Sequence, residues 1–349
     1  MIALPLAFPF SFLLLPVAVG LGVAYVRAGR LPHRRLRIAA RVGALTATCA
    51  LPLLTRGPGP GQLILGLLVG YLGLRTVAVA RSHGLAEGGI KAIVLQLITP
   101  AGIFQPSTRQ IRRPVVVILS GCAGIVSCVV LLILGNEWRL WQASQFGHFL
   151  DDQLVVLEIA VGAAGVHSLI VGIAQLCGRP VCGLLDHPFR STSLCEFWGR
   201  RWNRMVQINL AAGFYRPLAR AGRPTLAFVA AFAASGVMHV VAVLGAGPLR
   251  MVALPCACVL WCFLSHGAAV LIEQRLGWHE RPVGRWSHAI ARIRTLLLFI
   301  ALTPGLIEPF AAVANAHGRS LATPDAQVEA AAKPQRRSLP AHWMTATAP

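Results

Sequence analysis

The sequence predicts an all-α integral membrane protein with about eight transmembrane helices plus interfacial or re-entrant helices. Three observations predict it. Hydrophobic residues make up 56% of the 349 residues and charged residues only 13%, where a soluble domain carries about 25%. Mean hydropathy is +0.65. Apolar stretches long enough to cross a hydrocarbon core, about 20 residues each, recur along the chain.

In order, these stretches are 2–26, 38–54, 62–80, 115–135, 153–175, 225–246, 249–272 and 292–312. Most are rich in Leu, Val, Ala and Gly, the composition of helices that pack on other helices in lipid. Arg41 and Arg75 interrupt the second and third. Both fit a span if they snorkel or pair with a neighbouring helix. The first span has no basic residue before it and several after it, the reverse of a cleaved signal peptide. Ile90 through Phe104 is apolar but short and broken by Pro100, so it reads as an interfacial, re-entrant or connecting helix. Residues 313–349, rich in Ala, Pro and polar residues without periodicity, read as a disordered tail. The membrane domain is therefore expected over 1–312.

The net charge of +20 does not indicate a nucleic-acid partner, because its distribution is that of a topology signal. Arginines cluster after the first and third spans, between the fifth and sixth, and around the seventh and eighth. The alternate connections are short or acidic. That alternation follows the positive-inside rule and predicts both termini on the non-cytoplasmic side. Nine cysteines lie mostly in or beside spans, as small apolar fillers do. They form no paired CxxC and His set, so no metal site is expected.

The chemistry concentrates in 176–224, which is too polar to span yet dense in aromatic residues. It contains Ser191-Thr192-Ser193-Leu194, then Phe197-Trp198-Gly199-Arg200-Arg201-Trp202-Asn203, then Met205-Val206 and Tyr215-Arg216-Pro217. On a helix, Trp198 and Trp202 share one face, suited to the membrane interface. Arg200, Arg201 and Arg204 supply fixed positive charge for phosphates of a ligand or of lipid headgroups. An interfacial helix anchored by Trp and Arg explains the same residues without any catalysis. In the sixth span, Ser235-Gly236-Val237-Met238-His239 places an ionisable side chain among apolar ones, which marks a functional candidate. A neutral imidazole is the state a general base needs. His167 and His266 also fall within spans, so chemistry alone leaves three histidines, and a buried histidine can equally be a packing residue.

Taken together, these motifs resemble the signature of the wax synthase branch of the membrane-bound O-acyltransferases, over about 186–240. The resemblance implies His239 as catalytic base and Asn203 as a second active-site residue, with Trp198, Arg200, Arg201, Trp202 and Arg204 as substrate-binding candidates. It implies transfer of a fatty acyl group from acyl-CoA, as co-substrate, to a lipophilic alcohol beside membrane lipids, with no metal or other cofactor. A sterol, terpenoid, polyketide or glycan hydroxyl is the alternative acceptor, and a noncatalytic transporter or scaffold is the alternative of another class. Members of this family from plants carry an acidic residue directly after the histidine, where this chain has Val240. Any group that orients His239 must then come from elsewhere. Thirty arginines against two lysines suggest a GC-rich genome and hence a bacterial plasma membrane; a eukaryotic source would imply the endoplasmic reticulum.

Overall fold

The computed structural model describes residues 13–55, 60–81, 89–98, 114–141, 145–177, 185–245, 249–280 and 282–303. These residues form helices and turns, with no strand among them. The helices are α1 (Leu14–Ala28), α2 (Arg34–Ala50), α3 (Pro60–Arg81), α4 (Ile90–Ile98), α5 (Pro114–Trp141) and α6 (Gln145–Leu176). After them come the short α7 (Leu194–Glu196), α8 (Arg204–Leu210) and α9 (Arg216–Arg220), then α10 (Pro224–Leu244), α11 (Leu249–Arg275) and α12 (Arg285–Leu302).

Among the described residues, five segments are long and apolar enough to cross a membrane: Arg34–Leu54, Gln62–Arg81, Pro114–Leu131, Pro224–Leu244 and Val252–Arg275. The eight spans read from the sequence are thus reproduced only in part. Leu14–Ala28 and Ala160–Leu176 are apolar but shorter. Residues 2–12 of the first expected span, 304–312 of the last and the whole expected tail 313–349 lie outside the described residues. The short apolar stretch after α3 is a connecting helix where it is described. In it, Ile93 and Leu97 of α4 are buried against Val26 of α1 and Val79 of α3.

Packing contacts fix the directions of the helices. Along α1 and α3, Ala18 meets Leu65 and Val69, and Val26 meets Val79, so the two run parallel. Helix α10 runs antiparallel to α3. The Gly66 position abuts Ala242, and a Cβ at Gly70 would sit 2.7 Å from the Met238 carbonyl oxygen. Only glycine allows this approach, since real Cβ atoms do not come that close. Helix α11 returns antiparallel to α10, with Gly236 against Leu260 and Phe263, and Gly267 against Phe232. In this arrangement Arg27, Arg81, Arg216, Arg220, Arg223, Arg275 and Arg285 fall at the same end of the bundle. The positive-inside rule makes that end the one expected on the cytoplasmic side.

Arg75 shows how a charge is tolerated inside α3. Its Nε donates to the Gln96 carbonyl at 3.0 Å and its guanidinium to Asn209 Oδ1 at 3.2 Å. Asn209 is fully buried, and its own amide donates to the Met205 carbonyl at 3.0 Å. A buried charge is stable when it is paired in this way. The network ties α4, α3 and α8 together just below the signature segment.

Candidate active site

The signature segment folds as a chain of short turns rather than one helix. Ser193 caps α7 by accepting the Glu196 N–H at 3.0 Å. Phe197–Arg201 then forms a π-helical turn, and Trp202 leaves it in an extended conformation. Asn203 re-enters the helical ladder at φ 41°, ψ 61°, its side chain accepting the Val206 N–H at 3.3 Å. Among the described residues, the non-glycine positions with positive φ are His187 and Asn203, both in this segment. Asn tolerates the left-handed region better than most residues because its short polar side chain bonds locally, which suits it to this corner. Such conformations concentrate at functional sites.

The expectation that Trp198 and Trp202 share a helical face at the membrane interface is therefore corrected. They meet through the π turn, with ring centroids 6.4 Å apart. Phe197 lies between elements, 5.5 Å from Trp202 in a stacked pair and 4.7 Å from Phe299 of α12. Trp198 points at α10 and α11, with Phe232 at 6.3 Å and His266 at 5.2 Å. Leu194 and Phe197 are buried with Val270 and Phe299. The aromatic string is a packing core that fixes the segment on α11 and α12.

Four charged groups, Arg201, Glu196, Arg294 and Glu273, complete the fixation. Arg201 forms a two-pronged pair with Glu196, at 2.9 Å from Nε and 2.7 Å from a terminal nitrogen, and also donates to the Asp186 carbonyl at 3.0 Å. Partial burial alone would raise the Glu196 carboxyl. The Thr192 N–H and Arg201 outweigh it and hold the group below its usual range. Arg294 of α12 donates to the carbonyls of Thr192 and Trp278 and lies over the Trp278 ring at 4.5 Å. Glu273 of α11 is 1% exposed, and its Oε2 accepts the Cys195 N–H at 3.2 Å. Sequence reasoning passed over Glu273 because the seventh span was closed at 272. Its signal was an acidic residue one position beyond an apolar run, and the helix in fact continues to Arg275.

His239 sits half-buried on α10, stacked on Phe263 of α11 at 4.4 Å and 27°. Its Nδ1 lies 2.8 Å from the Ser235 carbonyl oxygen. A carbonyl only accepts, so Nδ1 carries the hydrogen, and in the neutral ring the lone pair is on Nε2. The orienting group missing at Val240 is thus the backbone of the preceding helical turn. His266, one turn beyond Phe263, is 2% exposed, and its Nδ1 bonds the Cys262 carbonyl at 2.9 Å. The His266 Nε2 and the Trp198 indole nitrogen are buried without a hydrogen-bond partner among the described residues.

Of the residues singled out in the sequence, Trp198, Arg201, Trp202 and Asn203 share one compact segment. Arg200 is exposed and Arg204 opens α8. No hydrogen bond between Asn203 and His239 is among those of the described residues. They are linked indirectly, since Val206, three residues after Asn203, packs on Met238 beside His239. A cavity of about 290 Å³ lies between the segment and α6, lined by Ala160, Ala164, His167, Ser168, Pro188 and Trp202 among others.

Residues 182–265 match the family described as membrane bound O-acyl transferase. The segment carries that family's signature. The match runs from just before Leu185 through His239 to Ser265, so it takes in the π turn, the Asn203 corner and the α10–α11 contact. Acyl-CoA–sterol O-acyltransferase 1 of Arabidopsis thaliana is 31% identical over 182 residues, 48% of this chain and 51% of the relative. Probable long-chain-alcohol O-fatty-acyltransferase 7 of the same plant is 34% identical over 128 residues, 32% and 37% of the two chains. The long-chain-alcohol O-fatty-acyltransferase of Simmondsia chinensis is 33% identical over 105 residues, 26% and 29%. The chain spans about half or less of the length of these curated relatives. The segment is thus similar to long-chain-alcohol O-fatty-acyltransferases and to a sterol O-acyltransferase alike.

Proposed function

We propose that this protein is a membrane-embedded, acyl-CoA-dependent O-acyltransferase that esterifies a lipophilic alcohol, with His239 as general base. The observation that carries the reading is the hydrogen bond from His239 Nδ1 to the Ser235 carbonyl, inside the segment that matches the family. It leaves Nε2 as the basic nitrogen on a ring clamped against Phe263. In the reaction, Nε2 takes the proton of the alcohol hydroxyl as its oxygen attacks the thioester carbonyl. The C–S bond then breaks and CoA leaves as a thiol, which recovers the proton. No covalent acyl-enzyme and no metal are needed for this balance. Asn203 contributes by holding the corner that sets the aromatic segment against α10.

Long-chain alcohol is the favoured acceptor, because several similar relatives bear that name. A sterol hydroxyl is the second reading, supported by the relative with the longest of the three matches. The same base serves both, and acceptor choice follows pocket shape. A bacterial plasma membrane rests on the arginine-to-lysine bias alone, and the named relatives are of plants. The test is an esterification assay on membranes carrying the protein, with labelled palmitoyl-CoA offered against hexadecanol, a sterol and diacylglycerol. Ester from hexadecanol is the expected product. CoA release with none of the three would remove the alcohol reading.

A further inference from the structure

Arg200, Arg201 and Arg204, the arginines the sequence singles out for phosphates, do not line the larger of the two cavities described. Arg201 is committed to Glu196 and the Asp186 carbonyl. The larger cavity, about 470 Å³, opens between the end of α3 and α9, and it is lined by Ala78, Arg81, Ala212, Arg216, Pro217 and Arg220. Arg81 is the last residue of α3, and Arg216 and Arg220 stand one turn apart on α9, hence on one face. Among the described residues, none of the three side chains makes a hydrogen bond or ion pair. Three like charges around one cavity repel one another, and no carboxylate is among the described residues that line it. The floor is small because Gly213 presses onto Val77 and Ala78, where a Cβ would lie 3.2 Å from the Val77 methyl. An arginine that merely snorkels to the headgroups needs no such hollow.

We propose that this cavity is a binding subsite for a multiply charged phosphate group. Resting on the function proposed above, its ligand is the phosphorylated nucleotide end of acyl-CoA. Guanidinium groups suit it, since each presents a planar fork of donors matched to phosphate oxygens. The position suits it as well. The cavity lies at the arginine-rich end of the bundle, where a polyanion arrives from the cytosol. Helix α3 leads inward from it: Leu74, about 10 Å along the axis from Arg81 at 1.5 Å per residue, packs on Val206 and on Met238, the neighbour of His239. A nucleotide held at Arg81, Arg216 and Arg220 would direct its thioester arm along α3 towards the base. Sequence analysis could not separate these arginines from the topology signal, because Arg81 and Arg216 are far apart in the chain and the cavity exists only where α3 meets α9.

The experiment measures binding of CoA, and of CoA lacking its 3′-phosphate, to purified protein in neutral-lipid nanodiscs. It compares wild type, Arg216→Gln/Arg220→Gln, Arg216→Lys/Arg220→Lys and Arg81→Gln, with Arg35→Gln on α2 as a charge-matched control. Loss of two charge-assisted bonds should weaken CoA binding by about tenfold or more. The Lys variant should recover part of that loss, and the variants should lose discrimination for the 3′-phosphate. Under turnover the defect should fall on KM for acyl-CoA and not on KM for the alcohol. CoA binding that is equal in Arg216→Gln/Arg220→Gln and Arg35→Gln would overturn the proposal. So would variants that bind CoA normally but lose stabilisation by anionic phospholipid, which would make the cavity a lipid-headgroup site. Because binding is read without turnover, arginine-dependent CoA binding in a protein that esterifies nothing would sustain the subsite and sink the proposed reaction instead.

Discussion

Two regions of this molecule are both built from apolar helices yet differ in what they bury. The α5–α6 hairpin is a seam of glycine against glycine. Gly124 and Gly165 approach so closely that a Cβ on the first would lie 2.9 Å from the second's Cα. Outward along it, Val115, Leu119, Val126 and Ile133 are all more than half exposed, as befits helices whose outer faces meet lipid. The α3–α10–α11 core uses the same close approach at Gly70 and Gly236. It also buries Asn209, Ser235, His266 and Glu273. In lipid, small residues are enough to hold helices together, whereas buried polar groups are costly and mark function. The hairpin buries one such group, Glu158 at 3% exposed, and lends His167 and Ser168 to the smaller cavity, so the contrast is one of degree between a seam that mostly packs and a core where polar groups gather.

The contrast can be broken first at its packing. Gly70→Val places side-chain atoms against the Met238 backbone, and overpacking of this kind costs about 1–3 kcal/mol or more. We expect a marked drop in melting temperature and loss of activity together. Gly165→Val should destabilise in the same way through the hairpin seam. The second test removes a buried acceptor. Glu273→Leu leaves the Cys195 N–H without its partner and should cost about 1–3 kcal/mol, measured by thermal unfolding in detergent, while Glu273→Gln retains an oxygen and should cost less.

Asn203 gives a smaller and more discriminating effect. Asn203→Ala loses a cap and a residue suited to the left-handed corner, for about 1 kcal/mol. Asn203→Asp keeps the capping oxygen and should be near wild type in stability. If Asn203→Asp is stable but inactive, the amide donors take part in the reaction; if it is active, the residue's task is the corner. The smallest effect is a pH dependence. Glu196 is held below its ordinary value of 4.5, so its contribution to stability is complete above that value and is lost as pH falls through the lower, folded one. Melting temperature should drop between pH 6 and the acid range by more in wild type than in Glu196→Gln.

Much of this was legible in the sequence because the signals were local. Apolar runs predicted α3, α10 and α11 nearly to their ends, and the Phe197–Asn203 string with His239 pointed to the segment that matches the family. What was not legible depended on contacts across the fold or on departures from a regular helix. Trp198 and Trp202 look like one interfacial helical face until the π turn and the extended Trp202 fold them with Phe197 into a packing core. Arg200, Arg201 and Arg204 look alike as charges, yet Glu196, only five residues before Arg201, takes one of them out of solution. With Val240 after it, His239 needs an orienting group from elsewhere, and the backbone of its own helix supplies it. Asn209 carried no signal at all, because its meaning comes from Arg75, 134 residues away.

The central claim is that His239 is the base of an acyl transfer. The most direct test compares single-turnover ester formation by purified wild type and His239→Ala, with melting temperatures of both measured in the same nanodiscs. General-base assistance contributes about 10²–10⁴-fold. The account predicts a loss of at least that scale with the melting temperature little changed. Ester formation at the wild-type rate by a well-folded His239→Ala protein would contradict it and return His266, the buried histidine facing Trp198, as the group to examine.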